Sequence, residues 1–197
     1  MKKNSFILAE GYKKVVFSLV FSIVFLLFIS DCIGYIGLVI TLALAYIYRN
    51  TYRHIFKNTQ SVLAPIDSTV TAIDKVNGKY KIYCKVNLCD NHLFRAPVDA
   101  DMKIKKYKRG LNLNPNSYKG SLYNEQTVLK FDNIKIKLLS GLCNHKMKRI
   151  QEATVSQGDK ISVFLDGLVV ITIPKETKLN INIGDKLKSG QTILFTK

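Results

Sequence analysis

The sequence predicts a mostly β protein with an N-terminal transmembrane helical hairpin. Two long apolar runs, residues 15–30 and 33–48, lie near the start of the chain and are separated by Asp31. From Ser61 onward, short segments rich in Val, Ile, Tyr and Phe alternate with Gly, Asn, Asp and Pro, a pattern typical of strands and turns. A chain of 197 residues has room for this anchor and one β-rich domain, residues 49–197.

The apolar runs are each slightly short for a hydrocarbon core of about 30 Å, but flanking Lys, Arg and Tyr side chains can anchor them at the interface. A charge at the bilayer centre is costly, so Asp31 is expected at a turn on the far side of the membrane. Residues 1–14 form a basic head, and basic residues also follow the second run at Arg49 and Arg53. The positive-inside rule therefore places both ends and the β domain on the cytoplasmic side of the inner membrane.

The remainder of the chain reads as strands separated by turns, without a competing helical period. The stretch 110–120, which contains Pro115 and several Asn and Gly residues, is predicted to be a long loop. The predicted strands are residues 69–73, 79–86, 102–107, 127–131, 134–139, 161–164, 168–173 and 192–195.

Two weak internal sequence repeats suggest how these strands are arranged. Residues 64–70 echo residues 96–102, and a Gly-Asp-Lys bend occurs at both 158–160 and 184–186. Such units resemble the flattened barrel-sandwich of biotinyl and lipoyl carrier domains. A Met-Lys-Met-like hairpin, which would carry the modified lysine of a carrier, is missing from the sequence, so the echo predicts a fold and not carrier chemistry.

Charge and cysteine content limit the partners. The chain has 30 Lys and Arg against 14 Asp and Glu, and a basic domain tied to a bilayer has an obvious partner in anionic lipid headgroups. The lysines are scattered along alternating segments and form no nucleic-acid module, so no nucleic acid is expected. The four cysteines match no disulfide framework and no defensible zinc pattern, so no metal is predicted. Formation of a homo-oligomer stays open.

The most informative stretch is residues 90–99, Asp-Asn-His-Leu-Phe-Arg-Ala-Pro-Val-Asp. On an extended segment Asp90 and His92 lie on the same side, so the spacing suggests Asp90 as the orienting partner of the histidine. It resembles the central motif of the phosphatidylserine decarboxylase family, short form. Further similarities follow in the family's order, over nearly all of the chain from Val15 onward. They are Arg49-Asn50-Thr51-Tyr52-Arg53, Ala64-Pro65-Ile66-Asp67-Ser68, Asn124-Glu125-Gln126, and Gly141 with Lys148-Arg149-Ile150.

In that family a serine in a Gly-Ser step attacks its own preceding peptide bond, and the cleavage leaves a pyruvoyl group that serves as the cofactor. Counting back from Pro174 places this serine at Gly167, and counting forward from Gly158 places it at Leu168. Neither residue has a hydroxyl, nor has Asp166 before them. The sequence therefore predicts that no pyruvoyl group forms and that the chain has no cofactor.

The resemblance implies roles for other residues. Asp67 matches the aspartate that assists self-cleavage, and His92 matches the histidine that handles protons at the substrate carbon. Arg95, Asn124 and Glu125 are the residues expected at the lipid headgroup. Asp67 as a turn cap and His92 as a structural histidine are the ordinary alternatives.

The resulting interpretation is a membrane-anchored protein of phosphatidylethanolamine metabolism that does not cleave itself, is inactive as a decarboxylase and retains a pocket for an anionic or amino-phospholipid headgroup. One alternative is an active phosphatidylserine decarboxylase. The other is a non-enzymatic membrane scaffold that binds protein or polyanion through its basic surface.

Overall fold

A computed structural model describes residues 6–55, 57–143, 147, 150–174 and 178–196 of the protein. The chain divides into two compact units, residues 1–52 and 53–197. Among the residues that the structure describes, the first unit contains two helices, and the second is a β domain with one short helix. The prediction of a mostly β protein with an N-terminal apolar helix is confirmed.

Helices α1 (Ala9–Phe28) and α2 (Asp31–Ile47) pack antiparallel through small residues. Ser22 lies against Gly37, and the hydroxyls of Ser18 and Thr41 are 2.8 Å apart. Small residues let apolar helices approach closely, as they do in membrane bundles. Helix α1 is long and apolar enough to cross a membrane, whereas α2 is apolar but shorter. A transmembrane hairpin stays a prediction.

Two sequence-based boundaries in this unit differ from the structure. Helix α1 begins at Ala9, inside the predicted head, and Gly11 in its first turn leaves space for the ring of Tyr48. The amide of Leu8 also donates to the carbonyl of Tyr48 at 2.8 Å. Asp31 opens α2 instead of lying in a separate turn, where its charge favours the positive end of the helix dipole.

Within its described residues, the β domain has thirteen strands. Their bounds are β1 (Ser61–Leu63), β2 (Ser68–Val76), β3 (Lys79–Val86), β4 (Leu93–Arg95), β5 (Ala100–Lys108), β6 (Gln126–Phe131), β7 (Ile134–Ser140), β8 (Ala153–Val155), β9 (Lys160–Val163), β10 (Gly167–Pro174), β11 (Lys178–Leu179), β12 (Lys186–Leu187) and β13 (Ile193–Thr196). Every predicted strand coincides with or overlaps one of these.

Most strands form one antiparallel sheet in the order β12-β2-β3-β10-β7-β6-β5-β8. A second sheet is β1-β13-β11, and β4 pairs with β9. Alternate residues of the large sheet, such as Ile82, Ile136 and Ile171, are buried in a single core. The comparison with biotinyl and lipoyl domains stays a prediction.

The predicted loop at 110–120 is partly helical. Helix α3 (Tyr118–Tyr123) begins after Ser117, whose hydroxyl accepts a hydrogen bond from the amide of Gly120. The two ends of the loop are held together by an isolated β-bridge between Leu111 and Asn124. An N-cap serine is a helix-start signal that the loop prediction overlooked.

Candidate functional site

The central motif includes strand β4, which pairs with β9. Strand β4 holds its middle residues, which are buried. The amide of Arg95 donates to the carbonyl of Pro65 at 2.7 Å, and the carbonyl of His92 accepts from the amide of Phe164 at 2.8 Å. The motif therefore joins the loop around Asp67 to the segment that leads into β10.

His92 is almost fully buried, and its Nε2 lies 2.9 Å from the carbonyl oxygen of Leu88. Asp90, two residues earlier, is not positioned as an orienting carboxylate. Its Oδ2 accepts from the amide of Asn87 at 2.8 Å and closes a turn. The histidine is instead oriented by a backbone carbonyl, which favours a protonated Nε2.

Asp166 lies two residues after Phe164, whose amide donates to the carbonyl of His92. Its carboxylate accepts hydrogen bonds from the amides of Leu142 and Cys143, the latter at 3.0 Å. Burial raises the pKa of the Asp166 carboxyl group, and these two amides and the charge of His92 only partly offset that effect. A partly buried carboxyl group whose pKa is raised by burial, and which responds to the charge of a histidine, is a candidate for proton transfer.

Gly167 begins β10 with a φ of +138°, a conformation that L side chains rarely adopt. A β-carbon added there would lie 2.2 Å from the carbonyl oxygen of Leu139. The backbone needs glycine at this position. Gly167 pairs with Ser140 of β7, and Leu168 follows half-buried on the outer face of the sheet.

Asn124 and Glu125 are connected to Gly167 through Ser140, its neighbour on β7. The side-chain amide of Asn124 donates to the carbonyl of Ser140 at 2.7 Å, and the amide of Ser140 donates to the carbonyl of Glu125 at 3.0 Å. The buried carboxylate of Glu125 accepts from the hydroxyl of Tyr107 at 2.6 Å and raises the pKa of that tyrosine.

Asp67 belongs to a neighbouring group. Both of its carboxylate oxygens accept from the guanidinium of Arg53, at 2.5 and 2.6 Å, and one accepts from the amide of Ser189 at 2.7 Å. The hydroxyl of Ser189 donates to the carbonyl of Leu93, the residue after His92. Sequence reasoning did not identify Ser189, because no local signal marks it.

Arg95 is buried beside this ion pair. Its Nη1 donates to the carbonyl of Gly158 at 3.0 Å. Burial lowers the pKa of the guanidinium, the charge of Arg53 lowers it further, and the carboxylate of Asp67 opposes both effects. The pKa of Lys160, opposite Arg95 on β9, is lowered by burial and by the charge of Arg95. A cationic group suited to an oxyanion therefore lies next to Asp67.

The structure thus arranges the predicted residues in two adjoining groups. One surrounds the predicted cleavage position and contains His92, Asp166, Gly167, Asn124 and Glu125. The other contains Asp67 and Arg95. Lys148 and Arg149 of the sequence motif lie outside the described residues. In the described part of the chain, His, Cys, Asp and Glu side chains form no cluster of three or more suited to a metal ion.

Comparison with known proteins identifies the relationship. The family whose model matches is phosphatidylserine decarboxylase, over residues 40–195. A relative from Pelagibacter ubique (strain HTCC1062) is 26% identical over 206 residues, covering 96% of this chain and 95% of its own length. One from Syntrophus aciditrophicus (strain SB) is 26% identical over the whole of both chains. Both are named phosphatidylserine decarboxylase proenzyme. No solved structure is significantly similar to the chain.

These relatives correct the cofactor prediction. The matching family is pyruvoyl-dependent and its members are named as proenzymes, so the prediction of no cofactor is wrong and a pyruvoyl group is expected. Asp166, Gly167 and Leu168 do not fit the serine origin of that group, because none has a hydroxyl. Ser140 carries a hydroxyl directly opposite Gly167, where it contacts Asn112 at 3.1 Å.

The family match spans most of the chain and includes both groups of candidate residues. The relatives extend the similarity to the apolar N-terminal segment, since two of them align with nearly the whole sequence. The chain therefore belongs to the phosphatidylserine decarboxylase family.

Proposed function

We propose that this protein is a membrane-anchored member of phosphatidylethanolamine metabolism whose β domain binds the headgroup of an amino-phospholipid beside Gly167. The observation that carries the proposal is that several candidate residues lie around the same peptide bond, between Asp166 and Gly167. The carbonyl of His92, just before β4, pairs with the amide of Phe164, two residues before Asp166, and Asn124 and Glu125 connect to Gly167 through Ser140. Three separate parts of the family pattern therefore support one site.

Each group has a chemical role in this proposal. The imidazole of His92 moves a proton at the substrate, and Asp166 stabilises its charged form. Arg95 interacts with an anionic part of the headgroup, because a guanidinium pairs well with phosphate and carboxylate oxygens. Asn124 and Glu125 hold the strand opposite Gly167, and Asp67 fixes the adjoining loop through Arg53.

A pyruvoyl group, when present, supplies a carbonyl that draws electrons as carbon dioxide leaves. The names of the relatives favour an active decarboxylase as the second candidate function. The absence of a hydroxyl at residues 166–168 favours headgroup binding without decarboxylation, and inactivity stays a prediction.

We propose that the apolar N-terminal segment anchors the chain in the membrane. Helix α1 supports membrane association, and the flanking basic residues support placement of both ends and the β domain on the cytoplasmic side. The division into a basic head, a hairpin and a β domain is proposed on the same grounds, with bounds of 1–14, 15–48 and 49–197 from charge and hydropathy, although α1 itself begins at Ala9. Resistance of the full chain to alkaline carbonate extraction tests the anchor.

The headgroup proposal is tested with glycerophosphoserine, a water-soluble headgroup, and the full chain in neutral detergent. Calorimetric titration is expected to detect binding that His92→Gln and Asn124→Leu each weaken by tenfold or more. Lys119→Ala, on the exposed surface of α3, is the control and is expected to bind normally. Absence of binding by the folded wild type would reject the headgroup site and favour a scaffold.

Intact mass and phosphatidylethanolamine formation separate the two candidate functions. Two fragments with a blocked new N-terminus near Gly167, together with product, establish an active pyruvoyl enzyme. One uncut chain that binds the headgroup without turnover establishes the binding function.

A further inference from the structure

The outer face of the large sheet carries lysines in rows that run across its strands. On the first row, Lys135 of β7 lies directly opposite Lys130 of β6, and Lys130 lies opposite Lys103 of β5. On the other side, Thr172 of β10 separates Lys135 from Lys81 of β3. With strands about 4.8 Å apart, the row from β3 to β5 is about 19 Å long.

A second row lies one pleat further along the same face. Lys137 of β7 is opposite Val128 of β6, which is opposite Lys106 of β5. A third row crosses the same five strands and has a lysine at each end, Lys85 of β3 and Lys108 of β5. All eight lysines in these three rows are exposed or half-exposed, whereas most of the alternate residues of these strands face the core.

The arrangement is costly for the isolated domain. Like charges directly opposite each other on neighbouring strands destabilise a sheet, and Lys130 has such a neighbour on both sides. The pKa of Lys137 is lowered by burial and further by the charges of Lys106 and Lys108. Asp74 is opposite Lys81 where the first row meets β2. The face therefore retains a large positive excess that favours an external polyanion.

We propose that this lysine face, formed by Lys81, Lys103, Lys106, Lys130, Lys135 and Lys137, docks the β domain onto the anionic headgroups of a phospholipid bilayer. The inference rests on the proposed membrane association of the chain. The charges are spread over a broad sheet, which matches a planar array of negative headgroups. Attachment to an apolar helix in the same chain would keep the bilayer at a high effective concentration.

The test uses the full chain in lipid nanodiscs and measures the rate at which each lysine is reductively methylated. Discs of phosphatidylcholine alone are compared with discs that also contain phosphatidylglycerol. Lys130, Lys135 and Lys137 are expected to react at least about threefold more slowly on the anionic discs, and this protection should disappear at high salt because exposed charges are screened. Lys119 and Lys188, exposed elsewhere, serve as internal controls.

Charge reversal gives a second measurement. The triple variant Lys103→Glu, Lys130→Glu and Lys135→Glu should lose the protection of Lys137. The matched triple Lys75→Glu, Lys119→Glu and Lys188→Glu changes net charge equally and should keep it.

Equal methylation rates on neutral and anionic discs would overturn the proposal. So would stronger protection by a single-stranded RNA oligonucleotide on neutral discs than by phosphatidylglycerol, which would identify nucleic acid as the partner. Retention of the chain in the discs is scored separately. A chain that stays in the discs with an unprotected face rejects docking and leaves the anchoring proposal intact.

Discussion

Gly141 faces the carboxylate of Asp166 so closely that a β-carbon at residue 141 would lie 2.2 Å from Oδ2. The amide of Gly141 also donates to the carbonyl of Asp166 at 3.0 Å. The carboxylate therefore fills the space that a side chain at residue 141 would need. Glycine at this position permits the turn amides of Leu142 and Cys143 to bind Asp166.

We expect Gly141→Ala to displace Asp166 and to lower the free energy of unfolding by about 1–3 kcal/mol, the usual cost of overpacking. Urea denaturation in neutral detergent, followed by tyrosine fluorescence, measures this change. In an Asp166→Ala background the same substitution should cost much less, because the obstructing carboxylate is gone. Equal costs in the two backgrounds would show that the contact is unimportant.

Gly167→Ser is expected to produce no new chain break and to destabilise the domain by at least about 2 kcal/mol. The serine would combine an unfavourable φ with a β-carbon only 2.2 Å from the carbonyl of Leu139. Intact mass and urea denaturation measure the two effects. Efficient splitting of the variant at residue 167 would contradict the expectation.

Leu168→Ser is the matched control for that substitution. Leu168 is half-buried on an ordinary strand, so its replacement should cost only about 1 kcal/mol of transferred apolar surface. The two variants place the same hydroxyl at the two candidate positions and separate backbone strain from side-chain chemistry.

The long strands were predictable because their side chains alternate between the core and the outer face. Asn-Gly at residues 77–78 also marks the turn between β2 and β3, where both residues have positive φ. The short strands β1, β4, β8, β11 and β12 were not predicted. Two or three residues give no measurable period, and their pairing depends on partners far away in sequence.

The candidate site was predictable residue by residue but not as an arrangement. The motif resemblance identified His92 and Asp67, yet spacing suggested Asp90 as the partner of His92. The structure places Asp166 near the histidine, from a segment far along the chain. Likewise, only the fold reveals that Ser189 connects Asp67 to β4.

The ion pair of Arg53 and Asp67 is expected to contribute strongly to stability. Both side chains are mostly buried, with 15% and 13% exposure, and removing one partner leaves the other charge poorly solvated. Asp67→Ala should therefore lower the free energy of unfolding by about 2–4 kcal/mol. A double-mutant cycle with Arg53→Ala isolates the coupling between the two residues.

Asp101→Ala is the control for this cycle. Asp101 accepts a hydrogen bond from the hydroxyl of Thr154 at an exposed strand pair, so its loss should cost about 1 kcal/mol or less. A cost for Asp67→Ala no larger than that of Asp101→Ala would reject a stabilising role for the ion pair.

Asp166→Asn should become progressively more favourable, relative to the wild type, as pH rises above 3.8. Burial raises the pKa of Asp166 from that ordinary value, so the folded state binds the proton more tightly than the unfolded state does. The wild type consequently loses stability as pH rises from 3.8 through the raised pKa, whereas asparagine does not titrate. Urea denaturation across this pH window measures the difference in unfolding free energy between the two proteins.

Asp166→Ala should show the same pH slope with a different offset, because it lacks the titrating group but also lacks the acceptor for the Leu142 and Cys143 amides. If the stability of Asp166→Asn relative to the wild type instead falls as pH rises, hydrogen bonding and the charge of His92 outweigh burial at this carboxyl group.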